Sequence, residues 1–136
     1  MLSPAQVAEL CAHYKLEPVE LLSQLLDWGK EFAVPPLSNF RVGAAALGAS
    51  GRIYIGFNIE FEDRALHHTV HAEQTLVALA MGQQERQLLA LAVSSAPCGH
   101  CRQFLSEVYQ CRTIVVNIRD HGSMTLSDLL PHPFGP

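Results

Sequence analysis

Residues 88–118 carry the pattern that most restricts the fold. Leu88 to Ser94 is a short apolar run of the length of a buried strand. Pro97-Cys98 then opens a helix, which Cys101, Phe104, Leu105 and Val108 continue along one face to about Tyr109. Thr113 to Ile118 follows. Its Ile-Val-Val run reads as a strand covered on both faces, hence parallel to the first. A strand, a helix and a second parallel strand make this an α/β chain, with helices packed on a sheet.

The flanking segments agree. Ser3-Pro4-Ala5-Gln6 has the form of a capping box, with Ser3 as N-cap, Pro4 at N1 and Gln6 at N3. Val7, Leu10 and Cys11 recur behind it at helical spacing. A second helix is predicted from about Pro18 to Phe32 on the stripe Val19, Leu22, Leu25, Leu26 and Trp28 or Gly29, stopped by Pro35-Pro36. Phe40 to Leu47 and Arg52 to Ile59 read as strands joined by the hairpin loop Gly48-Ala49-Ser50-Gly51. Val42, Ala44 and Ala46 leave one face of the first small enough for a close helix. In the second, Ile53, Ile55 and Phe57 alternate with Arg52, Tyr54 and Gly56. A polar loop, Glu60 to His68, precedes a helix of about His71 to Met81 that Gly82 would end as its C′ residue. A short helix, about Leu126 to Leu130, meets Pro131. The expected architecture is one domain over residues 1–136, a three-layer α/β/α sandwich around a mixed four- to five-stranded sheet. Residues 1–34 form a helical segment packed on it.

Composition narrows the function classes. At 49% hydrophobic and 16% charged residues the chain is globular, not disordered. It has no apolar run of about 18 residues that could span a membrane. Met1-Leu2-Ser3-Pro4 lacks a basic n-region and the first basic residue is Lys15, so the expected location is cytoplasmic. Nine Lys plus Arg stand against thirteen Asp plus Glu, a net charge of −4, which argues against a nucleic-acid partner. A small nucleotide-like ligand stays compatible with that charge.

Four cysteines are too few for a disulfide scaffold, and two of them stand in Cys98-Gly99-His100-Cys101. A second polar cluster, His71-Ala72-Glu73, opens the preceding helix. Loops that lead from strands into helices converge at one edge of such a sheet. His71, Cys98 and Cys101 then supply three ligands, the count of a catalytic zinc with an open fourth position. Two thiolates and a neutral imidazole leave Zn²⁺ with no net charge, and so more Lewis-acidic than three thiolates would. Glu73 is the non-ligand carboxylate placed to take a proton from a metal-activated water. Positions i and i+2 of a helix diverge by about 200°. His71 and Glu73 can therefore share the site only if His71 lies at or before the first turn. A structural zinc with Cys11, His100 or Cys111 as fourth ligand and a metal-free redox pair are the alternatives. Cys11 and Cys111 otherwise read as buried small hydrophobes. His13, His121 and His132 read as surface residues, His67 and His68 as solvated or structurally bonded, and His100 as a neighbour of the ligand set or of an interface.

H-x-E followed by P-C-x-x-C is matched, rather than deduced, as the signature of zinc deaminases. Around it the chain resembles the cytidine deaminase family over nearly everything after about residue 20. The matching stretches are Ser38-Asn39-Phe40-Arg41-Val42-Gly43-Ala44, Gly51 to Glu60 with its N-x-E pair, His71-Ala72-Glu73-Gln74, Pro97 to Phe104, and Leu129 to Gly135. The resemblance implies one Zn²⁺ per chain on His71, Cys98 and Cys101, with Glu73 catalytic. It also implies that Asn58 and Glu60 hold ribose hydroxyls and that Phe40 packs on the pyrimidine. The Ala72 N–H would bind a base oxygen and the Ala96 carbonyl the 4-amino group. By the residues alone, the lesser alternatives are a core place for Phe40 and a turn place for Asn58. A His ligand with Gln after Glu73 resembles the family branch whose chains are about twice as long and carry a second, degenerate domain. The implied partner is a second copy of the chain, in a homotetramer rather than a dimer, with Phe134 and the Leu129-Leu130 helix near a neighbour's site.

The implied activity is hydrolytic deamination of cytidine and deoxycytidine in pyrimidine salvage. The alternatives are a deaminase of another small amine or of single-stranded nucleic acid, and a non-catalytic deaminase-like subunit.

Overall fold

The computed structural model describes residues 1–108 and 112–135. Three helices come first, α1 (Pro4–Tyr14), α2 (Pro18–Gln24) and α3 (Leu26–Glu31), followed by the hairpin β1 (Gly43–Gly48) and β2 (Ile53–Phe57). A 3₁₀ turn, Leu66–His68, leads to α4 (Ala72–Gly82), β3 (Leu88–Val93) and α5 (Gly99–Glu107). The chain closes with β4 (Val115–Ile118), β5 (Gly122–Thr125) and α6 (Leu126–Leu129). The sheet order is β2-β1-β3-β4-β5, with β3 and β4 parallel and the other neighbours antiparallel.

β1 explains the layering. Gly43-Ala44-Ala45-Ala46-Leu47-Gly48 is buried at every position, so helices cover both faces. Alternate side chains serve different cores, as the two-residue period of a strand requires. Ala45, Leu47, Ile53, Ile55, Ala90 and Ala92 pack with Leu21, Leu22, Leu25 and Leu26 of the N-terminal helices. Ala44, Ala46, Tyr54, Leu91, Val93, Val116 and Ile118 pack with Leu76 and Val77 of α4, Leu105 of α5 and Leu126 of α6. The expected α/β/α sandwich is observed.

Two glycines set how closely the helices lie. A Cβ on Gly43 would fall 2.1 Å from the Leu26 carbonyl oxygen, and one on Gly56 would fall 2.0 Å from that of Ala72. Backbone therefore rests on backbone at both points. The second contact seats the first turn of α4 directly on β2. Thr75 fastens it there: its hydroxyl accepts from the Phe57 N–H at 2.9 Å and lies 2.8 Å and 2.9 Å from the carbonyls of Phe57 and Ala72.

Several elements differ from the sequence expectation. The helix over 18–32 is two helices: Leu25 makes a tight N–H bond to Leu22 at 3.2 Å, after which α3 resumes. Leu21, Leu22, Leu25, Leu26 and Gly29 carry the buried stripe, while Val19 and Trp28 face outward. Tyr54 is fully buried rather than alternating to solvent, its hydroxyl donating to Glu85 at 2.8 Å. Gly82 lies inside α4. Gln84 takes the left-handed conformation instead, at φ 55°, and the Glu85 N–H returns to the Ala80 carbonyl at 3.0 Å. The buried Glu85 carboxylate, held by Ser50 and Tyr54, fixes the chain at that stop. β4 is parallel to β3 as expected but is only partly covered on its second face: Ser23 of α2 reaches Asn117, while Val115 stays exposed. β5 follows where no strand was expected. α5 gives way to extended backbone at Val108; the expected end near Tyr109 and the expectation for Cys111 lie outside the described residues.

Candidate metal centre and adjoining cavity

The register of the sheet brings the sequence motifs together. Gly43 pairs with Phe57 and Ala44 with Val93, so the start of β1 and the ends of β2 and β3 share one edge. Past β2 the chain is clamped on both sides. Val34 and Ile59 lie side by side through the bonds Val34 N–H to Asn58 and Glu60 N–H to Val34, and Ile59 exchanges two 2.9 Å bonds with Val70. Residue 71 is thereby delivered to the edge where Pro97-Cys98 leaves β3.

His71 is the N-cap of α4, with extended backbone at φ −78° and ψ 157°. This meets the geometric condition for His71 and Glu73 to face one site, since the 200° divergence applies only inside a helix. Cys98 is the N-cap of α5, and its sulfur accepts from the Cys101 N–H at 3.5 Å. His71 Nδ1 lies 3.6 Å from Cys98 Sγ. The ligand atoms of His71, Cys98 and Cys101 all lie within 4.8 Å of one another. A tetrahedral zinc with ordinary Zn–N and Zn–S bonds holds its ligand atoms roughly 3.5–3.8 Å apart, so the spacing fits. Neither Cys11 nor His100 joins this cluster, and among the described residues it has three ligands, the count of an open site.

The charges point the same way. Cys101 is fully buried. Burial first, then the Glu73 carboxylate and the Cys98 sulfur, push its thiol far above the usual range. Among the described residues, two sulfurs and a carboxylate converge here, and no basic side chain figures among the groups acting on Cys101. A divalent cation reverses that penalty and stabilises the thiolates. The donor set, two sulfurs and an imidazole, suits zinc.

A cavity of about 490 Å³ opens above the cluster, lined by His71, Ala72, Glu73, Ala96, Cys98, Asn58, Glu60 and Phe40 among others. Glu73 is buried at 4% exposure on its wall. Phe40 is 57% exposed and lines the cavity, so it is not a core residue. Its loop is held from beneath. Asn58 accepts from the Val42 N–H at 2.8 Å and donates to the Phe40 carbonyl at 2.9 Å. Glu60 accepts from the N–H groups of Leu37 and Ser38 at 2.8 Å and 2.9 Å, and from the Ser38 hydroxyl. The Ser38 hydroxyl, working against burial and aided by the Ser38 and Leu37 N–H groups, holds the Glu60 carboxyl below the usual carboxylate range. Asn58 and Glu60 thus line the cavity, but part of their bonding capacity already positions the Phe40 loop. Ala72 is the first residue of α4, so its N–H has no acceptor within the helix.

Ser38, Val42, Leu66, Thr69 and Ser95 also line the cavity, and the sequence assigned none of them a role in a site. Leu66 and Thr69 arrive through the 3₁₀ turn, for which the polar loop gave no periodic signal. Phe134 lies elsewhere. It is 88% exposed, and its backbone is pinned by the Gln103 side chain through bonds of 2.8 Å and 2.7 Å. His67, His68, His13, His121 and His132 are exposed as expected. Cys11 is half-buried rather than buried. No helix of the described residues is long and apolar enough to cross a membrane.

Comparison with known proteins follows the same residues. A family model described as the cytidine and deoxycytidylate deaminase zinc-binding region matches residues 19–118. The chain is 43% identical over 131 residues to a cytidine deaminase of Shewanella loihica, covering 96% of this chain and 44% of that protein. It is 43% identical over 135 residues to one of Sodalis glossinidius, covering 99% and 44%. It therefore spans a little under half the length of these relatives. Among solved structures, the cytidine deaminase of Mycobacterium tuberculosis superposes with a TM-score of 0.76 at 34% identity, covering 86% of this chain and 97% of that one. That of Burkholderia pseudomallei gives 0.75 at 30%, covering 85% and 98%.

Proposed function

The chain belongs to the cytidine and deoxycytidylate deaminase family, and from that premise we propose that it hydrolyses cytidine and deoxycytidine to the uridines and ammonia. The observation that carries this reading is the buried Glu73 beside the three-ligand cluster on the wall of one cavity. His71, Cys98 and Cys101 would hold one zinc, whose Lewis acidity when bound lowers the pKa of a water toward about 7. Glu73 accepts a proton from the attacking water and delivers it to N3 of the base. It then passes the water's second proton to the departing amino group. One water enters and one ammonia leaves. The Ala72 N–H meets a base oxygen, the Ala96 carbonyl accepts from the 4-amino group, and Phe40 packs on the ring. Asn58 and Glu60 use their remaining hydrogen-bonding capacity on the ribose hydroxyls. Held charged by Ser38, Glu60 also repels a 5′- or 3′-phosphate, which favours a free nucleoside over a nucleotide or a nucleic acid.

In this reading residues 1–136 act as one domain in cytoplasmic pyrimidine salvage, where reducing conditions keep the ligand thiols free. The active form is a homo-oligomer, a tetramer rather than a dimer. Phe134 supports this: a fixed backbone presents its ring to solvent, available to a neighbour's cavity.

The test is zinc content per chain together with ammonia release from cytidine, deoxycytidine, cytidine monophosphate and single-stranded DNA. Release from the two nucleosides is expected. Release from single-stranded DNA alone would support an editing enzyme, and none from any substrate a non-catalytic subunit.

A further inference from the structure

A hydrogen-bonded bridge joins the two ligand-bearing helix starts. The Gln74 side chain caps α4: its Oε1 accepts from the His71 N–H at 2.9 Å. Its Nε2 lies 2.7 Å from Nε2 of His100, in the first turn of α5. The rings of His71 and His100 are 5.9 Å apart, tilted by 35°.

The atoms leave one assignment. A backbone N–H only donates, so the Gln74 oxygen must face His71 and its NH₂ must face His100. The amide NH₂ only donates in turn. His100 Nε2 must therefore accept, which places the ring N–H on Nδ1. The line from the His71 backbone through the Gln74 amide to the His100 ring then connects the histidine ligand to the helix turn that carries both cysteine ligands. Cys98 and Cys101 are already fixed to each other by α5, through the Cys101 N–H to Cys98 Sγ bond. His71 comes from a different element, and the Gln74–His100 contact is a side-chain bond between those elements next to the ligand atoms.

We propose that Gln74 and His100 are positioning residues for the metal: their bridge sets the distance of His71 from the Cys98/Cys101 pair and slows metal loss. The proposal rests on the zinc reading above, and the test separates the two. Partners that orient metal ligands typically govern affinity by 10–100-fold. Cobalt is the probe, because its visible spectrum reports ligand number and geometry. His100→Ala and Gln74→Ala are each expected to raise the rate of cobalt and zinc loss to a chelator by about tenfold. Both should also perturb the cobalt spectrum; His100→Ala should leave the melting of the metal-free chain unchanged, while Gln74→Ala, which also removes the α4 cap, should lower it. Because Gln74→Ala already breaks the bridge, adding His100→Ala to it should change nothing further. Gln74→Glu should restore slow release, since a carboxylate can accept from both the His71 N–H and a His100 carrying its proton on Nε2. Nitrogen NMR of the imidazoles should accordingly show the Nδ1–H tautomer of His100 in the wild type and the Nε2–H tautomer in Gln74→Glu. Wild-type release rates in His100→Ala, or an Nε2–H tautomer in the wild type, would overturn the bridge while leaving the zinc reading intact. A wild-type chain that takes up no cobalt, like a Cys101→Ser control, would overturn the zinc reading and the bridge with it.

Discussion

At the scale of the residue, the site separates into groups fixed by local spacing and groups fixed by distant bonds. His71, Glu73, Cys98 and Cys101 were legible in the sequence because capping decides their geometry: each pair lies within one helical turn, and the extended N-cap backbone of His71 and Cys98 turns both inward. Ser38 was not legible, because its place depends on Glu60, more than twenty residues away. Glu60 gives a signed prediction. Its folded pKa is depressed, so the stability it gives the 37–40 loop is complete above the unfolded value of roughly 4.3 and is lost as pH falls through the lower folded value. Urea denaturation at a series of pH values should show the wild type more stable than Glu60→Gln near pH 7, with the gap narrowing in acid. Parallel curves would contradict the role given to Ser38.

Among the elements, glycine sets the distances and leucine sets the faces. Gly56→Ala would drive a methyl group into the Ala72 carbonyl, which is backbone and cannot swing aside. Overpacking of this kind costs about 1–3 kcal/mol. Because Ala72 adjoins His71 and Glu73, the same substitution should weaken zinc retention, readable by metal analysis beside thermal melting. A variant as stable and as fully loaded as the wild type would contradict the close contact of α4 with β2. Leu26→Ala, at a fully buried position of the other core, should cost about 2–5 kcal/mol in chemical denaturation and leave zinc retention unchanged. The sandwich and the parallel β3–β4 pair were legible from apolar runs and helix signals. The break at Leu25 was not, because the leucine stripe continues across it and only the close approach of Leu26 to Gly43 demands the tighter turn. Gly82 misled for a related reason: the stop of α4 is enforced by the buried Glu85, three residues later, and not by a local glycine. The partly exposed side of β4 was hidden as well, since Ile-Val-Val reads the same whether or not a helix reaches over it.

For the whole molecule, the βαβ unit that restricts the fold also makes the site: its crossover leaves Cys98 and Cys101 at the sheet edge that β2 and α4 bring to His71 and Glu73. The proposed assembly predicts a light-scattering mass that is a multiple of 14.9 kDa. It also predicts that Phe134→Ala raises KM more than it lowers kcat; an active monomer with unchanged kinetics would contradict it. In the proposed reaction Glu73 moves the protons of a hydrolytic deamination beside a zinc that His71, Cys98 and Cys101 would hold. The most direct measurement is ammonia release from cytidine by wild type and Glu73→Gln at matched zinc content. The proposed role of Glu73 requires one zinc per chain in both and a loss of turnover of about 10²-fold or more in the variant. A zinc-loaded Glu73→Gln enzyme that kept the wild-type rate would contradict it.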